Sequence, residues 1–169
     1  MQLRPYSSYH DASIICKWSN EERTHMLWCA NRFSFPLSQN NFDEVLFENE
    51  REWKDCAFVA TDESGEVVGF FCYSLNQENK VGFLKFVQIS PEHRGLGYGK
   101  QMIDLALKYA KDISGAESVQ LNVFDVNTTA FQCYQKCGFI EHTRTPEAFT
   151  YKNEKWGRIH MLCEFNCDK

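Results

Sequence analysis

Between Phe86 and Lys100 the apolar run Phe86-Val87-Gln88-Ile89 leads into three alternating glycines, Gly95, Gly97 and Gly99, which open a long amphipathic stretch. A strand that ends in a glycine turn and continues as a helix sets the helix's first amides beside the strand's carboxyl end. Those amides point outward and carry partial positive charge, so they suit an anion. Glycine lets the backbone take unusual dihedrals and lets a ligand approach closely. The stretch reads as an anion site, best filled by a pyrophosphate. Two common phosphate motifs do not fit it. A P-loop needs an earlier glycine where Arg94 stands and a Ser or Thr where Gln101 stands. A dinucleotide fingerprint needs its glycines spaced G-x-G-x-x-G at the start of a βαβ unit. Here they alternate, and the preceding pattern is a meander.

The flanking segments show a change of hydrophobic period. Leu3 to Tyr6 reads as a short strand, and Ser8 to Trp18 and Glu21 to Arg32 as helices, the second capped by Ser19 or Asn20. Ser34 to Asn41 reads as a loop and Phe42 to Trp53 as a helix. Cys56 to Thr61, Val67 to Leu75 and Val81 to Ile89 then read as strands. Their short links, Asp62 to Gly65 and Asn76 to Lys80, require an antiparallel meander. Gly99 to Lys111 is predicted as a helix with Met102, Leu105, Ala106, Tyr109 and Ala110 on one face. Ser118 to Phe124 is a predicted strand and Asn127 to Cys137 a helix, followed by strands from Phe139 and over Arg158 to Phe165. This order predicts one α/β (α+β) domain, a mixed sheet with helices on its faces.

Composition narrows the function classes. At 169 residues the chain has the size of a single domain. A net charge of −5 argues against general nucleic-acid binding, which needs a basic surface. No apolar run is long enough to span a bilayer, and Met1 to Pro5 lacks the apolar core of a secretion signal. A soluble, cytoplasmic protein is expected. The cysteines at 16, 29, 56, 72, 133, 137, 163 and 167 sit mostly in apolar or amphipathic runs and read as reduced, largely buried thiols. Cys133-x-x-x-Cys137 and Cys163-x-x-x-Cys167 lack the short C-x-x-C knuckle of a structural zinc site, so no metal is expected.

A second pattern follows the first: Asn127-x-x-Ala130-x-x-x-Tyr134-x-x-x-Gly138-Phe139. Taken alone it is a packed helix with an Asn cap and a Gly stop. Taken with the glycine turn it gains weight. Arg94-x-x-Gly97-x-Gly99 is similar to the Q/R-x-x-G-x-G/A signature of GNAT acetyltransferases, placed after a fourth strand and before a central helix as in that family. The Asn-to-Phe pattern resembles the family's next motif at the usual distance downstream. The resemblance is dense from Val81 to Ile140 and compatible with the whole chain.

The resemblance implies a mostly antiparallel, twisted sheet with helices on both faces, and acetyl-CoA as co-substrate. In the family the fourth strand carries a bulge and splays from the next, and the pantetheine arm slots into the gap. By resemblance Val87, Gln88 and Ile89 hold pantetheine, and the amides of Gly95, Leu96, Gly97, Tyr98, Gly99 and Lys100 hold the pyrophosphate. Arg94 belongs to the same loop and is expected to brace it. The Asn127 side chain touches the pantetheine arm, and the Tyr134 hydroxyl sits near the thioester sulfur, where it protonates the leaving thiolate. Backbone N–H groups near the bulge, Ile89 included, steady the oxyanion.

No general base stands out. Some relatives have a glutamate where this chain has Asn122. Lys85 and Gln88 are not bases, Glu92 and His93 read as solvated loop residues, Asp125 as a turn residue, and His142 and His160 as strand residues. Trp28, Phe33, Phe35 and Trp156 are expected either to line the acceptor pocket or to sit in the core. The acceptor is an amine-bearing small molecule or protein, and a homodimer is one assembly the resemblance allows. Two other functions stay open at this point: a non-catalytic acetyl-CoA-binding module, and a zinc-stabilised interaction domain. A longer acyl donor is a third variant, within the enzyme class.

Overall fold

The computed structural model describes residues 1–165. Along the chain lie β1 (Gln2–Pro5), α1 (Ser8–Ile15), α2 (Glu22–Cys29), α3 (Gln39–Trp53), β2 (Cys56–Thr61), β3 (Val67–Asn76) and β4 (Val81–Ile89). After them come α4 (Tyr98–Asp112), β5 (Ser118–Phe124), α5 (Thr128–Lys136), β6 (Ile140–Tyr151) and β7 (Glu154–Glu164). All the strands join one sheet in the order β1-β2-β3-β4-β5-β7-β6. β2 to β4 form the expected antiparallel meander, and β1 pairs antiparallel with β2 at the sheet edge. β4 and β5 pair in parallel, since α4 carries the chain back across the sheet between them.

Strand alternation sends side chains to two separate cores. Phe58, Ala60, Phe71, Tyr73, Val119, Leu121 and Val123 pack beneath α4 and α5. Val59, Phe70 and Cys72, the neighbours in between, pack beneath α1, α2 and α3 with Phe33, Phe42 and Leu46. Helices thus cover both faces, as the element order predicts. The buried stripe of α4 is Met102, Ile103, Ala106, Leu107 and Ala110. Its centre is rotated from the predicted face, leaving Leu105 and Tyr109 half-buried at the margin.

Several boundaries differ from the sequence reading, each for a local reason. α1 stops at Ile15 because Lys17 and Trp18 donate to carbonyls three residues back (Ile14 and Ile15), which tightens the turn. α2 ends at Cys29 because Ala30 and Asn31 take left-handed φ values of 48° and 67°. Its N-cap is Glu21, with no side-chain cap bond, so Ser19 and Asn20 do not cap it. α3 starts inside the predicted loop because Ser38 Oγ accepts from the Asn41 amide at 3.2 Å. β7 begins at Glu154, where Thr150 pairs with Lys155 and Tyr151 with Glu154 to close a long hairpin. Among the described residues no helix is long and apolar enough to cross a membrane. Of the cysteines, Cys29, Cys72 and Cys163 are buried, Cys56 is exposed, and Cys16, Cys133 and Cys137 are half-buried. Cys167 lies outside the described residues.

Candidate active site

β4 and β5 share only the pairs Val81–Ser118, Gly82–Val119 and Phe83–Gln120. Beyond Phe83, β4 pairs with β3 and β5 pairs with β7, so the edges of β4 and β5 that face each other have no strand partner among the described residues. Unpaired backbone donors and acceptors along a sheet edge are a template for an extended ligand. The gap coincides with a bulge. Two residues of β4, Phe86 and Val87, stand opposite the single residue Phe71 of β3. The extra residue inverts the facing of the strand. Leu84 points into the α4 core, yet so do Val87 and Ile89 after the bulge, while Phe86 joins the other core.

Phe86 carries the distortion with φ at 52°, a left-handed value that is uncommon for a bulky side chain. Neighbours hold it there. The Trp28 indole Nε1 donates to the Phe86 carbonyl at 2.9 Å. The Phe86 ring meets Phe33 edge-on at 4.9 Å between centroids. Sequence reasoning missed this brace, because its parts lie on α2, the following loop and β4. Gln88 has its side chain turned away from the gap and buried, with Nε2 donating to Ser19 Oγ at 2.5 Å. Ser19, expected as a helix cap, serves as that partner instead.

The glycine turn follows a single 3-10 turn at Pro91–His93, steadied by a 2.6 Å hydrogen bond between Ser90 Oγ and His93 Nδ1. Gly95 and Gly97 have φ values of 77° and 84°, and a Cβ at either would meet nothing within 4 Å. These glycines are therefore required by conformation and not by crowding. Gly97 caps α4 without any side-chain bond. The amides of Gly97, Tyr98, Gly99 and Lys100 thus have no intrahelical acceptor and face outward with the positive end of the helix dipole. A pyrophosphate suits this cradle. Arg94 braces the loop as expected: Nε donates to the Ile89 carbonyl at 3.1 Å and Nη2 to the Trp18 carbonyl at 3.5 Å. Leu96 is exposed, and Lys100 pairs with Asp104 at 2.6 Å on the helix surface.

On the other side of the gap, Asn127 caps α5, its Oδ1 accepting from the Ala130 amide at 3.3 Å. Its side-chain nitrogen has no protein partner among the described residues. Tyr134 is buried in the core that Val87 and Ile89 pack against. Burial, reinforced by the Cys133 and Cys137 thiols, pushes its pKa well above the ordinary tyrosine range. A phenol so placed stays protonated, the state a general acid needs.

The remaining predicted residues divide cleanly. Phe33 and Trp156 are core side chains, at 1% and 0% exposure. Trp28 and Phe35 are half-buried. Asn122 is exposed on β5. Lys85 is committed to the buried Asp55 carboxylate at 2.6 Å, and Asp125 accepts from the Gly157 amide at 2.9 Å. His160 Nε2 is 2.9 Å from Gln120 Oε1. Asp62, Glu66 and His93 offer ligand atoms within 4.8 Å of one another, a grouping the sequence does not suggest. There Asp62 Oδ1 already accepts three hydrogen bonds and Glu66 is exposed, so the trio reads as a solvated loop cluster.

The model of the acetyltransferase (GNAT) family matches residues 16–139. The chain belongs to this family. Like its relatives, this GNAT protein is an acetyltransferase that takes acetyl-CoA as co-substrate and an amine as acceptor. It is 29% identical over 141 residues to the spermidine N(1)-acetyltransferase of Vibrio cholerae, a match that covers 82% of this chain and 79% of that protein. A streptothricin acetyltransferase of Streptomyces lavendulae is 32% identical over 82 residues, 48% of this chain and 43% of its own. In fold, the crystal structure of the Vibrio cholerae spermidine N-acetyltransferase in complex with CoA and spermine superposes with a TM-score of 0.81. The identity there is 24%, with 96% of this chain and 94% of that one covered.

Proposed function

We propose that this GNAT enzyme acetylates a primary amine of a small polyamine, of the spermidine and spermine class. The observation that carries the acceptor is the extent of the likeness to the Vibrio cholerae spermidine enzyme, which runs over 82% of the chain, against 48% for the streptothricin enzyme. A net charge of −5 suits a polycationic acceptor. In this reading pantetheine lies against the open edge of β4 at Val87, Gln88 and Ile89 as an added strand. The amides of Gly95 to Lys100 take the pyrophosphate, and the free side-chain nitrogen of Asn127 donates to the pantetheine arm.

The neutral amine attacks the thioester carbonyl directly. A C–N bond forms, and the Ile89 N–H steadies the negative oxygen. Collapse then breaks the C–S bond, and Tyr134 passes its hydroxyl proton to the departing sulfur. The proton lost by the amine goes to water, because Asn122 holds the position of the relatives' glutamate and Lys85 is bound to Asp55, and water in turn returns a proton to the Tyr134 phenolate. On this reading the enzyme works in the cytoplasm, where its thiols stay reduced.

A steady-state amine panel with acetyl-CoA tests the proposal. Spermidine and spermine should give kcat/KM values at least tenfold above those for simple monoamines and for a peptide N-terminus. Preference for the peptide would overturn the acceptor class. Acetyl-CoA binding without turnover of any amine would make the protein a binding module.

A further inference from the structure

Attack by the amine leaves one proton to place, the one its nitrogen gives up in becoming an amide. One face of the gap offers that proton no exit, because Leu84, Val87, Leu121 and Val123 pack there beneath α4 and α5 with Tyr134. The residues that alternate with them face the other way: Lys85 on β4, Gln120 and Asn122 on β5, and His160 between Ile159 and Met161 on β7. α1, α2 and α3 cover this second face over β2, β3 and the bulge of β4. It stays open at Asn122, which is exposed, and at Gln120 and His160, which are half-buried. Of the groups facing the gap there, Lys85 is a cation held by the buried Asp55 at 2.6 Å, and Gln120 and Asn122 are amides that take up no proton at neutral pH. His160 stands directly opposite Asn122 across the β5–β7 ladder. Its Nε2 lies 2.9 Å from Oε1 of Gln120, a residue of the last pair that β4 and β5 share, at the apex of the gap. We infer that His160 is the proton acceptor of the reaction, taking up the amine's proton from the water that receives it. The inference rests on the acetyl transfer described above, not on the choice of amine.

The bond to Gln120 selects the ring nitrogen that can act. A carbonyl oxygen only accepts, so Nε2 carries the hydrogen and donates it, and Nδ1 keeps its lone pair. Nδ1 has no protein partner among the described residues. The surroundings keep the ring neutral. Burial lowers its pKa below the ordinary 6.5, and His142 and Arg158 lower it further. His142 meets the ring edge-on from β6 at 5.6 Å, and Arg158 lies two residues back on the same side of β7. With Lys85 across the gap, every charged or titratable neighbour on this face disfavours a second positive charge until the reaction supplies one. In the step, the amine's lone pair forms the C–N bond, its N–H bond breaks and the proton passes to water. That water yields a proton to Nδ1, and the ring becomes an imidazolium held in place by Gln120. Its low pKa then returns the proton to solvent, which resets the ring for the next turnover.

His160→Gln tests the role, with whichever amine the panel above shows to be acetylated. Glutamine can still donate to Gln120 Oε1 but takes up no proton. The variant should bind acetyl-CoA as the wild type does and lose at least tenfold in kcat at about pH 7.5. The ratio of wild-type to variant kcat cancels the amine's own titration. It should hold above neutral pH and fall toward one below pH 6.5, where the wild-type ring becomes charged. Asn122→Glu in the His160→Gln background should recover most of the loss, because it sets a carboxylate across the ladder on the same open face. A merely structural role for the ring would not respond to that second change. NMR titration of the wild-type histidines gives a reading that needs no variant to fold, and His160 should be neutral at pH 7. A charged ring at pH 7, an undiminished kcat in His160→Gln, or a loss independent of pH and unrepaired by Asn122→Glu would overturn this role and leave the acetyltransferase intact. Turnover of no amine by the wild type would overturn the enzyme and this role together.

Discussion

β5 keeps its register with β7 from Ser118–Glu164 to Phe124–Arg158 without a break, whereas β4 loses one residue of register against β3 and bends at Phe86. Only one wall of the gap is deformed. The regular wall is held by a continuous antiparallel ladder. The bent wall is held from outside the sheet, by the Trp28 indole on the Phe86 carbonyl and by the Phe33 ring. A left-handed φ on a non-glycine residue costs about 1–3 kcal/mol and persists only where the surroundings over-determine it. The contrast shows that in this protein the opening is made by packing from the helical layer, not by weakness of the sheet.

The largest effect should come from removing that brace. Trp28→Ala should lower unfolding stability by about 3 kcal/mol, the low end for a large aromatic because Trp28 is only partly buried. It should also weaken acetyl-CoA binding about tenfold, since the bulge is free to straighten. Urea titration and calorimetry read the two effects. Unchanged affinity would mean that the bulge belongs to β4 itself. Next in size, Tyr134→Phe should reduce kcat about hundredfold with stability nearly unchanged, as the loss of a general acid requires. Because the Tyr134 hydroxyl is raised above its ordinary range, the wild type should show no alkaline fall in kcat from this group up to about pH 10.

Gly97→Ala comes third. The side chain has room, but φ at 84° strains any L residue, so about 1–2 kcal/mol should be lost, seen as roughly tenfold weaker acetyl-CoA binding. Gly99→Ala is the control. Its Cβ would make ordinary contact with Cys133 Sγ at 3.4 Å, and affinity should hold. The smallest effect belongs to the regular wall, where Asn122→Ala on the exposed face of β5 should stay within about 0.5 kcal/mol.

What was legible in the sequence was local. The glycine turn, the helix after it, the Asn127 cap and the Gly138 stop each follow from a few adjacent residues, and all stand where the patterns put them. The two-faced sheet followed from the order of periods. The rest needed residues from far along the chain. Phe86 looks like any strand aromatic until Trp28 and Phe33 are set against it. Ser19 looks like a helix cap until Gln88 claims it. His160 looks like any strand residue until Asn122 and Gln120 are set beside it. The α3 start was legible in principle, since Ser38 precedes a helical run, but Pro36 and its polar neighbours suggested a loop.

The central claim is that acetyl-CoA enters the gap between β4 and β5 with its pyrophosphate on the first turn of α4. A crystal structure of the protein grown with acetyl-CoA tests it most directly. The account predicts pantetheine hydrogen-bonded to the backbone of Val87 to Ile89, phosphate oxygens on the amides of Gly95 to Lys100, and the thioester sulfur beside the Tyr134 hydroxyl. Cofactor density outside the gap, with β4 and β5 parted as before, would contradict it.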